Sequence, residues 1–220
     1  MSIHRTEIIS QQLDYVEKIF TKSDPILDKI VDELTPNERR MQISAIEARL
    51  LQVIIALNKP KKIVELGVLA GYSALNMAKV LEKNSKIYAI DIDSRAIIRA
   101  EKYAKLAKLE HLVNFYQGPA LEVLEKIKSE GPFDMIFIDA DKANYANYLT
   151  WAEENLKSGG VIVGDNTFLF GDVYQEKCPE NQSVKAYNSM REFNQRLSDP
   201  NKYISILIPT VEGMTVAVKK

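Results

Sequence analysis

Along the first 57 residues, apolar side chains recur at helical spacing. In the stretch 10–20 they fall at positions 13, 16, 19 and 20. The run DPILDKIVDEL opens with Asp24 as a cap and Pro25 in the first turn. A third helix is expected over 44–57, where Ser44 and Glu47 have the spacing of a capping box. From residue 62 the pattern changes. Short apolar runs, KIVELG, KIYAIDID, LVNFYQG, FDMIFIDA and GGVIVGDN, alternate with helical patterns over 73–83, 95–107, 120–129 and 144–156. Five strands alternating with helices predict an α/β fold, a mostly parallel sheet covered on both faces. A helix over 184–197 then precedes YISILIP and MTVAVKK. The link between these last runs is too short for a parallel crossover, so they should pair antiparallel. The segment 168–183, FLFGDVYQEKCPENQS, is long for a loop in a compact domain, and such loops are usually lids or disordered.

Composition narrows the class. The chain has 220 residues, 46% of them hydrophobic, enough for one core without disulfides or a structural metal. A single domain over 1–220 is expected, with a helical cap over 1–57 and an α/β core over 62–220. There are 29 Lys plus Arg and 30 Asp plus Glu, a balance that weighs against a general nucleic-acid binder. The one cysteine, Cys178, permits no internal disulfide, and a cytoplasmic location fits best. No leader-like or membrane-spanning apolar run is visible in the sequence. The two histidines, His4 and His111, are far apart, which disfavours a His/Cys zinc site.

In an open parallel sheet, ligands bind beyond the carboxyl ends of the strands, so the strand ends carry the chemistry. The first ends VELGVLAGYS. Gly67 and Gly71 are spaced G-x-x-x-G, not as the dinucleotide fingerprint G-x-G-x-x-G. Leu69 is bulky where that fingerprint needs glycine, and Glu65 would repel a phosphate. The loop suits a nucleoside-like ligand that is not anionic here, although a turn that merely needs glycine has the same sequence. At the second strand end, Asp91 can accept both hydroxyls of a ribose. A capping role is the bland alternative, but Asp93 or Ser94 could fill that. At the third, Gly118, Pro119 and Ala120 leave room for an adenine ring, or form a plain turn. The fourth carries Asp139, Asp141 and Lys142, and the fifth Asp165 and Asn166. Asp139, Asp165 and Asn166 offer three hard oxygen ligands suited to Mg²⁺, Mn²⁺ or Ca²⁺. Without a cation, such carboxylates would raise each other's pKa. Lys142 is either a general base or a surface lysine paired with Asp141.

The motifs VELGVLAGYSAL, IDID, GPALEVL, FIDADKANY, GGVIVGDN and REFN resemble those of the cation-dependent O-methyltransferases, which include caffeoyl-CoA and catechol enzymes and bacterial relatives. The resemblance runs from about Met41 to Lys219. It implies a Rossmann-like, seven-stranded class I methyltransferase sheet with the last strand antiparallel. It implies S-adenosylmethionine as cofactor, contacted by Met41, Glu65, Gly67, Ser73, Asp91, Ala120, Asp139 and Asp141. It further implies a divalent cation on Asp139, Asp165 and Asn166, with Lys142 and Asp139 as the catalytic pair. The acceptor would be a catechol-like small molecule and the assembly a homodimer. Glu212 and Gly213 stand where family members often read DG, and 168–183 is longer and more polar than in the plant enzymes. Both differences fall where the acceptor would sit. The alternatives are a tRNA methyltransferase acting on a hydroxylated wobble uridine, a dehydrogenase, or an inactive binding module. A basic patch at Arg39, Arg40, Lys59, Lys61 and Lys62 would favour RNA if it faced the cleft. The missing dinucleotide fingerprint and the retained polar set argue against the last two.

Overall fold

The computed structural model describes the backbone of residues 2–220 and the side chains of residues 11–220. Four helices lead the chain: α1 (Ser2–Phe20), α2 (Pro25–Glu33), α3 (Pro36–Met41) and α4 (Ala45–Asn58). The expected caps are present. Asp24 accepts from the Ile26 and Leu27 amides, and Ser44 and Glu47 form the reciprocal box. The periodicity does not show α3, a helix of six residues with no buried side chain. It is set by a second capping box, in which Thr35 and Glu38 satisfy each other's backbone donors.

The α/β part continues β1 (Lys62–Leu66), α5 (Tyr72–Ala78), β2 (Lys86–Asp91), α6 (Ser94–Ala107), β3 (Val113–Gln117), α7 (Ala120–Ile127), β4 (Phe133–Ile138), α8 (Tyr145–Asn155) and β5 (Leu156–Gly164). It closes with α9 (Val184–Leu197), β6 (Tyr203–Ile208) and β7 (Met214–Lys219). The strand order is β3-β2-β1-β4-β5-β7-β6, with β7 antiparallel to both its neighbours. This is the seven-stranded sheet expected from the motifs. Only α5 is much shorter than its pattern, ending at Ala78.

Alternating residues of each strand feed two cores. Helices α7, α8 and α9 close one around Phe133, Trp151 and Phe193. Helices α4, α5 and α6 close the other around Ile63, Phe137 and Val163. The strand order reverses between β1 and β4, which leaves a crevice beyond their carboxyl ends. Ladder bonds continue past the strands there: the Gly67 amide donates to Ile90 O (2.9 Å), Asp139 to Leu66 O (2.8 Å) and Asp165 to Ile138 O (2.9 Å).

The approach at Gly67 is tight. Its φ is +90°, and a Cβ there would lie 1.9 Å from the Asp139 carbonyl oxygen. A side chain would force β1 and β4 apart where they carry the site. Gly67→Ala should lower the unfolding free energy by about 3 kcal/mol or more, from left-handed strain plus overpacking. Urea denaturation of the two proteins measures this; an unchanged midpoint would mean that the two strand ends tolerate separation.

Candidate active site

Beyond the carboxyl ends of β1, β2, β3 and β4 lies a cleft of about 850 Å³. Its walls include Met41, Gly67, Ser73, Asp91, Ala120, Asp139, Asp141, Lys142 and Asn166, so most of the residues singled out in the sequence converge on one space. Two do not line it. Glu65 is fully buried and reaches the cleft only through Ser73, whose hydroxyl donates to Glu65 Oε1. Asp165 is 2% exposed, behind Asp139 and Asn166.

At one end of the cleft, Asp91 Oδ2 accepts from the Val68 and Leu69 amides (2.8 and 3.0 Å) and Oδ1 from the Asp93 amide (2.9 Å). These bonds fix the carboxylate while each oxygen keeps accepting capacity. Helix capping at α6 falls to Asp93. Leu69 itself adopts φ +53°, so the turn after β1 is left-handed at Leu69 as well as at its glycines.

At the other end, Lys142 Nζ donates to Asp139 Oδ1 (3.0 Å) and to the Tyr145 hydroxyl (2.9 Å). The surface pairing with Asp141 is not formed. Asp141 instead accepts from the Tyr148 hydroxyl and from Asn144 Nδ2, because the 3₁₀ turn Lys142–Asn144 carries the ammonium back over Asp139. Asn166, at φ +52°, donates Nδ2 to Glu212, which leaves its Oδ1 free for another partner. Glu212 and Phe170 also line this end. Glu212 and the segment holding Phe170 stand out in the sequence as departures from the family pattern, whereas no sequence signal singles out Tyr145 or Tyr148.

The segment 168–183 is pinned, not a free lid. Leu169 is buried, Gln175 O accepts from the Tyr187 hydroxyl (2.7 Å) and from Arg191 (2.9 Å), and Gln182 bonds Asp172 (2.8 Å). The proposed basic patch does not face the cleft together. Arg39 bonds Val31 O, Lys61 pairs with Glu82, and of the five only Arg40 is on the cleft wall.

Burial dominates the electrostatics. It pushes the Glu65 carboxyl up to about 8, against the Ser73 hydrogen bond and helped by the charges of Asp139 and Asp91. Burial likewise raises Asp165 to about 8, with Asp139 and Glu47 adding to it. Asp165 Oδ1 and Glu65 Oε2 are buried without a hydrogen-bond partner. Such groups are costly unless protonated or met by a cation. No cluster of three or more His, Cys, Asp or Glu side chains placed for a metal occurs among the described residues. The candidate set here is two carboxylates and an amide, an all-oxygen donor set. The unpartnered Asp165 oxygen fits a hard divalent cation.

The sequence profile of the O-methyltransferase family matches residues 18–220. The chain belongs to that family. The enzyme class expected from the motifs, an S-adenosylmethionine-dependent O-methyltransferase, is the class this membership gives. Among relatives, the catechol O-methyltransferase of Niastella koreensis is 34% identical over 184 residues, covering 82% of this chain and 83% of its own. The caffeoyl-CoA O-methyltransferase of Medicago sativa is 34% identical over 182 residues, covering 80% and 74%. Among solved structures, the Bacillus cereus O-methyltransferase in complex with SAH superposes with a TM-score of 0.85 at 26% identity, over 94% of this chain and 96% of that one. TomG of Streptomyces achromogenes, an O-methyltransferase of tomaymycin synthesis in complex with SAM, gives 0.83 at 26% identity over 94% of each chain. No helix of this O-methyltransferase among the described residues is long and apolar enough to cross a membrane.

The buried Glu65 carboxyl has a consequence for stability. Its folded pKa lies above the unfolded value of 4.5, so the native state holds a proton that the unfolded chain has lost. Its contribution is complete below about pH 4.5 and declines as pH rises to about 8. Glu65→Gln should flatten that decline, and thermal melts of both proteins from pH 5 to 9 test it. Parallel pH profiles would show that Glu65 is already ionised in the native enzyme.

Proposed function

We propose that this enzyme is a divalent-cation-dependent O-methyltransferase that methylates one hydroxyl of a small molecule with two adjacent oxygens, such as a catechol, using S-adenosylmethionine. The observation that carries the reading is the buried, unpartnered Asp165 Oδ1, adjacent in the chain to Asn166 and within reach of the charge of Asp139, both of which line the cleft. The relatives named for catechol and caffeoyl-CoA methylation support the acceptor class.

The residues divide by role. Asp91, held by three backbone amides, would accept the ribose hydroxyls. Ala120, first residue of α7, leaves space for the adenine, while Gly67, Ser73, Met41 and Asp141 would border the methionine part, with Glu65 supporting Ser73 from behind. S-adenosylmethionine supplies an electrophilic methyl on a positively charged sulfur, whose thioether leaves neutral and needs no acid. Asp139, Asp165 and Asn166 would hold the cation, whose Lewis acidity lowers the pKa of a bound hydroxyl. Lys142 Nζ, oriented by Asp139, would take or share the acceptor's hydroxyl proton from its neutral amine form, with two N–H bonds on Asp139 and Tyr145 and the lone pair toward the acceptor. Phe170 would cover one face of an aromatic acceptor, and Glu212 would fix the Asn166 amide. The protein thus contributes mainly position and charge.

A homodimer is proposed as well. On the α4 side of the sheet, Ile204 pairs with Val218 and Ile206 with Val216, yet Ile204 and Ile206 of the edge strand are 68% and 63% exposed. On α4, Val53 and Leu57 are also exposed. An apolar edge of this kind is suited to a second copy. Sedimentation should show a dimer that Ile204→Lys combined with Ile206→Lys converts to monomer; a monomeric parent enzyme would remove this proposal.

Methyl transfer to a catechol panel and to bulk tRNA, with Mg²⁺ and with EDTA, tests the main reading. EDTA should abolish turnover and Mg²⁺ restore it. Asp165→Ala should cost about 100-fold or more in turnover while S-adenosylmethionine binding, read by calorimetry, changes little. Full activity after complete metal removal would refute the cation, and transfer to tRNA alone would refute the acceptor.

A further inference from the structure

Tyr145 is the first residue of α8 and has no exposed surface. Its hydroxyl lies within 3.0 Å of Ile138 O and 2.8 Å of Asp165 O, and accepts from Lys142 Nζ at 2.9 Å. One O–H proton is therefore shared between two carbonyls, one at the end of β4 and one just past β5. With the proton engaged there, an oxygen lone pair is available to Lys142. The 3₁₀ turn Lys142–Asn144 explains the meeting, since side chains three apart eclipse in that geometry.

We propose that Tyr145 is a positioning residue for methyl transfer: its hydroxyl aims Lys142 at the acceptor and ties together the strand ends that carry Asp139 and Asp165. The inference rests on the reading of Lys142 as the group that takes the acceptor's proton. Nζ has three directions apart from its own carbon. Tyr145 takes one and Asp139 Oδ1 another, which leaves one for a molecule in the cleft that Lys142 lines. Without the phenol oxygen, Lys142 keeps its hydrogen bond to Asp139 and the non-directional attraction of the ring at 5.0 Å, and neither fixes its angle about Asp139. The ring is gripped separately: it packs edge-on against Phe193 at 5.2 Å, which Tyr145→Phe preserves.

A double-mutant cycle of Tyr145→Phe and Lys142→Met, assayed with a catechol, S-adenosylmethionine and saturating Mg²⁺, tests the coupling. Tyr145→Phe should lower kcat about 10-fold or more, leave the Kd for S-adenosylmethionine within about twofold, and add almost nothing to the loss in Lys142→Met. Losses that multiply would show that Tyr145 acts on the fold and not through Lys142, and would overturn the inference. Parent kcat in Tyr145→Phe beside an impaired Lys142→Met overturns the inference alone. Parent kcat in Lys142→Met overturns the reading of Lys142 and the inference with it. Should Tyr145→Phe not fold, the side-chain ¹⁵N resonance of Lys142 in the parent enzyme decides, assigned by its loss in Lys142→Arg. Slow proton exchange supports the double anchor, and the rapid exchange of a free surface lysine overturns it.

Discussion

Four carboxylates at the carboxyl edge of one mostly parallel sheet set the terms for this enzyme. Glu65 on β1, Asp91 at the end of β2, Asp139 after β4 and Asp165 after β5 all gather where the strand order reverses, with one ammonium, Lys142, among them. Like charges so placed cannot all be stabilised in the same way. Asp91 is satisfied by backbone amides, and Asp139 by Lys142. Glu65 and Asp165 are buried with less: the Ser73 hydroxyl serves one, the Asn166 amide and the charge of Lys142 only partly offset burial at the other, and each keeps an unpartnered oxygen. Their raised pKa values follow from that position. The same environment has two chemical outcomes. Glu65, behind Ser73, can keep a proton. Asp165, beside Asp139 and the free Oδ1 of Asn166, has the neighbours with which to share a cation.

Backbone geometry makes this crowding possible. Gly67 lets β1 approach the Asp139 carbonyl, and the Asp139 and Asp165 amides extend the ladder one residue past the strands. The β6–β7 turn then closes the far end. Gly213 O and Glu212 O accept from the Thr167 and Phe168 amides, which seats the Glu212 carboxylate on the Asn166 amide. The antiparallel hairpin, peripheral in the sheet order, thereby helps to orient a central side chain.

Much of this was legible in the sequence because strand ends announce themselves. An apolar run that stops at Gly or Asp marks both a strand and its carboxyl edge, so Asp91, Asp139, Asp165 and Asn166 could be named without coordinates. What escaped lay outside that signal. Helix α3 has no apolar face, and only the Thr35/Glu38 spacing could have marked it. The length of 168–183 suggested a lid, but length says nothing of the bonds that Tyr187 and Arg191 make to Gln175. Lys142 could pair with Asp141 or swing back to Asp139, and only the 3₁₀ turn decides. Tyr145 reads as an ordinary aromatic of an amphipathic helix, since nothing in the chain order shows that its hydroxyl reaches two strand ends.

The two ends of the cleft are built from different material, and this bears on what each can specify. Asp91, Ser73 and Ala120 sit at strand ends or in the first turn of helices, held by backbone bonds and close packing. A ligand there meets a surface that side-chain motion barely alters. Phe170 and Glu212 come from connections: Phe170 is 64% exposed in a turn at φ +56°, and Glu212 lies in the β6–β7 link. Substitutions in those connections can reshape the proposed acceptor end without disturbing the sheet. On the proposed reading, the reaction depends on groups fixed by the fold, while the choice of acceptor depends on two connections. Family membership thus gives O-methyl transfer for this chain, and the proposed reading would leave the identity of the acceptor to Phe170, Glu212 and their neighbours.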